Sequence, residues 1–409
     1  MHRHHRQRRG TLYLAVLGVS TIVSVIALAG MHAARTQLAA TTQAADRLEA
    51  RLLAQSAIEH AVAVFNADAN WLTTYAVDTN YPATPVAAGR GAYNWRLGGA
   101  GGLNRTLSGT AKVGDAACTL TVDLALPVDL GCGLLVEGKL QIDGDCELTV
   151  EDAPAACNDE FRVDGVVTGD VEGQSIDNNG TITGSQTAPA TMRALPTPSM
   201  VFDYYEQMGT VVKPAVFGSA IISMTLLSPN SSWAGKNSDG IYVIDTQGKD
   251  LSISTSRIVG TLVVTNLAPG KKVYLSDKIN WEPAYPHYPA LLVDGDIEIS
   301  TKDGNLAEWL LSPSYNNTGT PYQGEEDTDK SDSFISSIAG LIYCTGNLTI
   351  DGGGNDRQPD LRGVVLVGGE CRLQNQTLPV IKYDDAYSTT PPPGFDQTDP
   401  VVIVPGSWR

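Results

Sequence analysis

Hydrophobic positions follow three regimes along the 409-residue chain, and each regime predicts a different element. Residues 11–31, "TLYLAVLGVSTIVSVIALAGM", carry no charge and are apolar all round. At ~1.5 Å rise per residue a helix of that length spans ~30 Å, the hydrocarbon thickness of a bilayer. The pattern then changes without a break. From Met31 to Trp71 there is no glycine or proline, and Leu38, Ala45, Leu48, Leu52, Ile58, Val62 and Phe65 recur at helical spacing among Ala, Gln, Arg and Glu. One helix over residues 11–70 is expected, greasy in its first half and amphipathic in its second.

Helix signals stop after about residue 75. Tyr93–Leu97 ("YNWRL"), Thr106–Val113 and Cys118–Leu126 ("CTLTVDLAL") alternate apolar and polar residues between glycine-rich turns, which predicts a small antiparallel sheet over residues 71–127. The third regime is an internal repeat. "GLLVEGKLQI" from Gly133, "ALLVDGDIEI" from Ala290, "GLIYCTGNLTI" from Gly340 and "GVVLVGGECRL" from Gly363 share one design. A small residue leads three apolar residues, then a glycine corner, then an alternating strand. Stretches from Gly240 and Gly260 are looser copies. Such units suit the coils of a parallel β-helix, with an antiparallel sandwich as the alternative. The repeats fall in a first group, 128–184, and a main group, 201–380. Residues 185–200 read as a linker, and the proline-rich tail 381–409 ends in "VVIVPGSWR", a strand expected to cap the stack. The fold class is therefore α+β, with a long N-terminal helix, a small antiparallel sheet and a mainly-β stack.

Charge changes the picture at the N-terminus. Arg3, Arg6, Arg8 and Arg9 precede the apolar run, so the positive-inside rule keeps residues 1–10 cytoplasmic and sends the remainder outward. A cleaved export signal is the rival, because Ala27-Leu28-Ala29 fits a small-x-small cut before Gly30. The helical pattern that continues for some forty residues past that point argues for a retained helix. With the leader's four arginines set aside, 24 of the 28 basic residues face 45 acidic ones. That balance excludes a nucleic-acid partner, which needs a basic face.

The basic leader ending in Gly10, followed by an apolar helix running into an amphipathic one, resembles the N-terminus of type IV pilins and pseudopilins. More narrowly, "LLAQSAIEHAVAVF" (Leu52 to Phe65) is similar to a stretch of PilX-type minor pilins and K-type pseudopilins; the likeness covers residues 1 to about 66. Residues 199–409 resemble a β-helix-like module found after such N-termini in large bacterial pilin-like proteins. The resemblance implies a prepilin peptidase cut after Gly10, with Arg8, Arg9, Gly10 and Thr11 as the processing residues. It implies a single inner-membrane span with a periplasmic or extracellular C-terminal region, and extraction of the helix into a filament. The partners it implies are other pilin-like subunits and the inner-membrane assembly platform, in a type IV pilus or a type II secretion filament. Two positions depart from the family pattern. Thr11 stands in place of the usual aromatic residue. Counting from Thr11, the fifth residue is Ala15, where major pilins carry a glutamate that offsets a neighbour's N-terminal charge. Its absence is shared by PilX-like and K-type subunits and favours a minor subunit, one suited to a filament tip. A plain single-pass anchor and a carbohydrate-binding surface adhesin remain as alternatives.

Six cysteines follow the helix: Cys118, Cys132, Cys146, Cys157, Cys344 and Cys371. An even count on the outer side of a membrane predicts disulfides, first among the four at 118–157. Zinc is disfavoured because no C-x-x-C pair occurs. Enzymatic chemistry finds little support. His287 is the one histidine of the β-rich region and sits in "PAYPHYPALL", a rigid aromatic turn. Asp143 with Asp145, and Asp294 with Asp296, flank the corner glycines Gly144 and Gly295, where aspartate is an ordinary turn residue. "GEEDTDKSD" (Gly324–Asp332) and "DGGGND" (Asp351–Asp356) are acidic enough to attract calcium but lack the pattern of an EF-hand loop. Trp233, Trp281, Tyr285 and Tyr288 are candidates for a sugar-stacking surface, with corner packing as the simpler role. No cofactor, metal or catalytic residue is expected.

Overall fold

The computed structural model describes residues 5–409 apart from 69–70, 100–104, 126–127, 213–220, 232, 311–313, 355–356, 396–400 and 405. The chain divides into two compact units. The first comprises residues 1–100, 106–123 and 405–409, and the second 101–105 and 124–404.

In the first unit one α-helix runs unbroken over His5–Ala67. Its last third carries a buried stripe of Ala50, Ala54, Ala57, Ile58, Ala61 and Phe65. Four of these six are alanine, so the helix axis can approach a sheet closely. That sheet is Asn80–Ala88, Gly91–Gly98, Arg105–Val113 and Ala116–Ala125, hydrogen-bonded in that order, with the first three strands antiparallel. Gly109 marks the closest approach, since a Cβ there would lie 2.2 Å from the Ala54 carbonyl oxygen and 2.9 Å from Ile58. Phe65, Trp71, Tyr81 and Trp95 close the far end of this core: Phe65 stacks on Trp71 at 4.4 Å and Tyr81 on Trp95 at 5.0 Å.

The second unit is mainly β, and its two large sheets are built from parallel pairs running from coil to coil. Leu134–Val136 pairs with Ala155–Cys157, whose own far neighbour is Val171–Glu172, and Val171–Glu172 pairs in turn with Gln186–Thr187. The main group repeats this from Thr210–Val211 through Ile241–Asp245, Thr261–Thr265, Pro289–Val293 and Leu341–Cys344 to Val365–Val367. All ten strands form one parallel sheet.

The repeat's design follows from what each strand buries. In the ten-stranded sheet, Leu134, Val136, Leu291, Val293, Ile342, Val365 and Val367 point into the stack interior. The residues between them, Leu135, Leu292, Tyr343 and Leu366, pack on the outer side beneath Val201, Phe202 and Tyr205 of the helix Pro198–Met208, with Tyr387 and Phe395 of the tail. A strand buried on both faces needs an unbroken apolar triplet. The following strands, Leu140–Ile142, Leu348–Asp351 and Cys371–Gln374, bury alternate residues only, so they alternate in sequence. The leading small residue has its own cause. At that corner one coil lies directly on the next, and a Cβ on Gly363 would sit 2.5 Å from the Gly340 carbonyl oxygen.

Two features depart from the sequence reading. The groups 128–184 and 201–380 share one ladder, because Val365–Val367 pairs with Leu134–Val136. The last coil of the main group thus meets the first coil of the early group. The tail strand Val402–Ile403 caps no coil; it pairs antiparallel with Leu124–Ala125. The coil edge at residues 365–382 is already occupied by residues 134–151, which leaves that edge closed to the tail.

Candidate functional site

The surface that demands an explanation is the N-terminal two-thirds of the long helix. Residues 12–45 are exposed throughout, and Leu12, Leu14, Val16, Ile22 and Val23 each show 59–71 % of their surface. Burying one such side chain is worth ~1.5–3 kcal/mol, so the run as a whole disfavours water by tens of kcal/mol. Its serine and threonine hydroxyls are internally satisfied. Ser20 donates to the Leu17 carbonyl at 2.9 Å, Thr21 to that of Gly18 at 2.8 Å and Ser24 to that of Ser20 at 2.8 Å. Hydroxyls folded back onto their own helix are compatible with a hydrocarbon environment. The helix is long and apolar enough to cross a membrane.

Arg8, Arg9, Gly10 and Thr11 lie within the helical backbone, and their side chains fall outside the described residues. Ala15 is exposed on a face it shares with Leu12, Val16, Val19, Ser20 and Val23. That face carries no carboxylate.

The other sequence candidates resolve into structural roles. His287 adopts φ +66° and sets its ring edge-on to Tyr387 at 5.9 Å. Asp143 accepts from Gln141 and Arg372, both at 2.8 Å, while Asp145 accepts a weak bond from the Cys146 thiol. Asp294 accepts from the Thr345 hydroxyl at 3.0 Å, and Asp296 from the Asn347 amide at 2.8 Å. Asp143, Asp294 and Asp296 thus each join one turn to the next in the stack. Asp351 accepts from the Gly353 amide and from Gln374 and Asn375; burial raises its pKa, but these bonds outweigh that and hold it below the usual carboxylate range. Asp356 lies outside the described residues. In the acidic loop, Asp327 and Asp329 cap the amides of Asp329 and Ser331. Carboxylate oxygens of Glu308, Asp329 and Asp332 converge within 4.8 Å. Glu308 is fully buried and accepts from the amides of Tyr315 and Asp332. Trp281 is buried and donates to the Gly260 carbonyl, Trp233 is half-buried and donates to that of Leu226, and Tyr285 and Tyr288 lie 5.5 Å apart at the turn.

The disulfide expectation is corrected: all six cysteines are free thiols. The reason lies in the register. In a parallel stack the side chain near enough to bridge is the one in line on the next coil, ~4.8 Å away. Cys157 is in line with Val136, Cys344 with Val293 and Val367, and Cys371 with Leu348 and Leu140. Cys146, Cys157, Cys344 and Cys371 are instead inward packing residues. Burial pushes the Cys132 thiol up to about 12 and those of Cys146 and Cys157 to about 11.

Arg257 escaped the sequence reading. It is wholly buried, and each of its five N–H groups has an acceptor. Nε donates to Asn280 at 3.1 Å, Nη1 to the carbonyls of Tyr315 and Thr320, and Nη2 to Glu282 and the Pro321 carbonyl, both at 2.8 Å. The rings of Tyr322 and Phe334 lie 5.4 and 5.2 Å from the guanidinium carbon. An arginine inside an otherwise uncharged strand, "ISTSRIVG", was the available signal.

No family model matches the chain, and no curated protein matches it. Among solved structures, it is similar to the competence-associated pilin ComZ from Thermus thermophilus at a TM-score of 0.35 and 11 % identity, over 89 % of this chain and 97 % of that one. At that level of likeness no property of that protein is carried over.

Proposed function

We propose that the chain is a structural, non-enzymatic subunit of a type IV pilus or type II secretion filament, of the minor PilX- or K-type kind. The observation that carries the reading is the helix His5–Ala67. Its apolar part is exposed, with no partner among the described residues, whereas its last third is docked on the sheet from Asn80 to Ala125. A helix built this way serves first as a single inner-membrane span, with residues 1–10 cytoplasmic, and then as a filament-core element once a prepilin peptidase cuts between Gly10 and Thr11. The coil-on-coil stack of the second unit is read as a parallel β-helix displayed outside the membrane. Ala15 supports a terminal place in the filament. A bulk position would leave a neighbour's N-terminal charge unpaired in apolar surroundings, which costs several kcal/mol.

The deciding measurement is the N-terminal residue of the mature protein. Thr11 is expected, with Gly10→Phe blocking its appearance and reproducing the deletion phenotype in filament assembly. A mature chain starting at Gly30 would mean that the helix is an export signal. An unprocessed chain, together with wild-type filaments in a deletion strain, would favour the membrane-anchored, carbohydrate-binding adhesin.

A further inference from the structure

The ladder of the second unit has one place where adjacent coils are not consecutive in the chain. Coil 365–382 lies between coil 341–362, which precedes it, and coil 134–151, which was made long before it. We infer that this seam is where the stack opens: residues 134–187 detach there as one body, and coil 365–382 is the clasp that holds them.

The contacts at the seam resemble those of any other rung. Backbone amides of Glu137, Asp143 and Thr149 donate to the carbonyls of Val367, Leu373 and Pro379, and those of Val365 and Cys371 donate back to Gly133 and Lys139. Arg372 meets Asp143 at 2.8 Å and Lys382 approaches Glu151 at 3.8 Å. The tether is what differs. Arg372 and Asp143 are 229 residues apart in sequence, whereas Glu370 and Asn347, neighbours on consecutive coils, are 23 apart. The main group stays folded when the seam parts, so the difference is one of connection: an ordinary rung keeps its two coils joined by the chain that runs from one to the next, whereas across the seam the coils are joined only through the linker and the main group itself. Equal contacts with an unequal tether make the seam the weakest rung.

The linker is arranged to survive the opening. Arg193 binds Asp129 and Glu172 at 2.9 Å, its amide and carbonyl both bond to Asn158, and the Ala194 carbonyl accepts from the Asp129 amide. All of these partners belong to the first group. Two residues later the Pro196 carbonyl accepts from Tyr343 of the main group. The tether therefore changes sides at Leu195, which places the hinge there.

The test is hydrogen exchange by mass spectrometry on the full chain in detergent micelles. Amides of Glu137, Asp143, Thr149, Val365 and Cys371 are expected to exchange together, at least ten-fold faster than Asn158, Leu348 and Gly368, which donate between consecutive coils. Glu151 and Lys382 are in register across the seam, and Arg362 and Lys382 across the preceding rung. Oxidised Glu151→Cys/Lys382→Cys should slow the seam amides to the rate of their neighbours, and oxidised Arg362→Cys/Lys382→Cys should leave them fast. Seam amides no faster than those of consecutive rungs would overturn the inference. So would a seam crosslink that fails to slow them, or a seam pair that fails to oxidise while the control pair does.

Discussion

Removing the Arg257 side chain should release the excursion between Thr301 and Ser337 while leaving the coils in place. Among the described residues of 302–336, regular structure amounts to a short antiparallel pair, Asn305–Ala307 with Ser333–Ile335, a 3₁₀ turn at Glu308–Leu310 and a bridge between Tyr322 and Glu325. Arg257 supplies what regular structure does not, because three of its five hydrogen bonds end on loop carbonyls, those of Tyr315, Thr320 and Pro321. Burial pushes the guanidinium pKa down and Glu282 pulls it back, so the group remains a cation. In Arg257→Ala the three carbonyls lose their donor, each worth about 1–3 kcal/mol if left dry. Water entering the vacated space recovers part of that, which leaves a net loss of about 3–5 kcal/mol, the range for breaking a buried charge network. Arg257→Met fills the space without restoring a donor and should recover no more than about 1 kcal/mol. Glu282→Gln should cost under about 1 kcal/mol, since Glu282 is 43 % exposed and its pairing is screened. The assays are denaturant unfolding of the full chain in detergent and cleavage by a glutamate-specific protease at Glu325 and Glu326. Cleavage should accelerate in Arg257→Ala before the β signal is lost. A resistant loop with a stability change below about 1 kcal/mol would refute the reasoning, as would a Glu282→Gln loss equal to that of Arg257→Ala.

Three further outcomes follow from the geometry. Gly109→Val should part the sheet from the helix at Ala54, with a loss of about 1–3 kcal/mol or more and faster proteolysis within residues 80–123, because the new Cβ would overlap the Ala54 carbonyl. Alkylation of native protein at pH 8 should spare Cys132, Cys146, Cys157, Cys344 and Cys371, all buried, and label all six cysteines after denaturation without reductant; fewer than six would restore the disulfide reading. Asp123 beside Arg409, Asp164 beside Arg162 and Asp170 under the Ser185 amide all have pKa values held below the ordinary carboxylate value. Their contribution is complete above that value and is lost as pH falls through the depressed ones, so the unfolding midpoint should be flat above about pH 5 and drop below about pH 4.

The elements legible in the sequence are those whose cause is local. A charge-free run and a long stretch without glycine or proline announce the helix. The triplet, corner and alternation announce a coil whose first strand is buried on both sides. The cysteines show where local reading stops. Spacing placed Cys132, Cys146 and Cys157 near one another, but whether two thiols meet depends on which residues share a rung. Valine and leucine occupy those in-line positions. The same limit hid Arg257, whose acceptors on the loop lie about sixty residues downstream.

The order of the coils is the hardest feature to read, because every rung of a parallel stack offers the next one the same invitation. Nothing in "GLLVEGKLQI" says that its partner is "GVVLVGGECRL" and not the stretch from Gly240, since all three present a small residue, an apolar triplet and a corner. What decides is the whole chain. Both sides of the 155-coil are already occupied, by Leu134–Val136 and by Val171–Glu172, so the first group keeps an inward-facing free edge only at Leu134. The main group begins under the helix Pro198–Met208 and runs toward that edge, so its last coil and not its first arrives there. The linker from Thr187 back to Pro198 must then travel along the outer side of the ten-stranded sheet, where Asn158 and Tyr343 hold it. A repeat that is interchangeable in sequence thus becomes unique in space through connection lengths alone. The same interchangeability concentrates any slippage or opening of the stack at the one rung that no short connection secures.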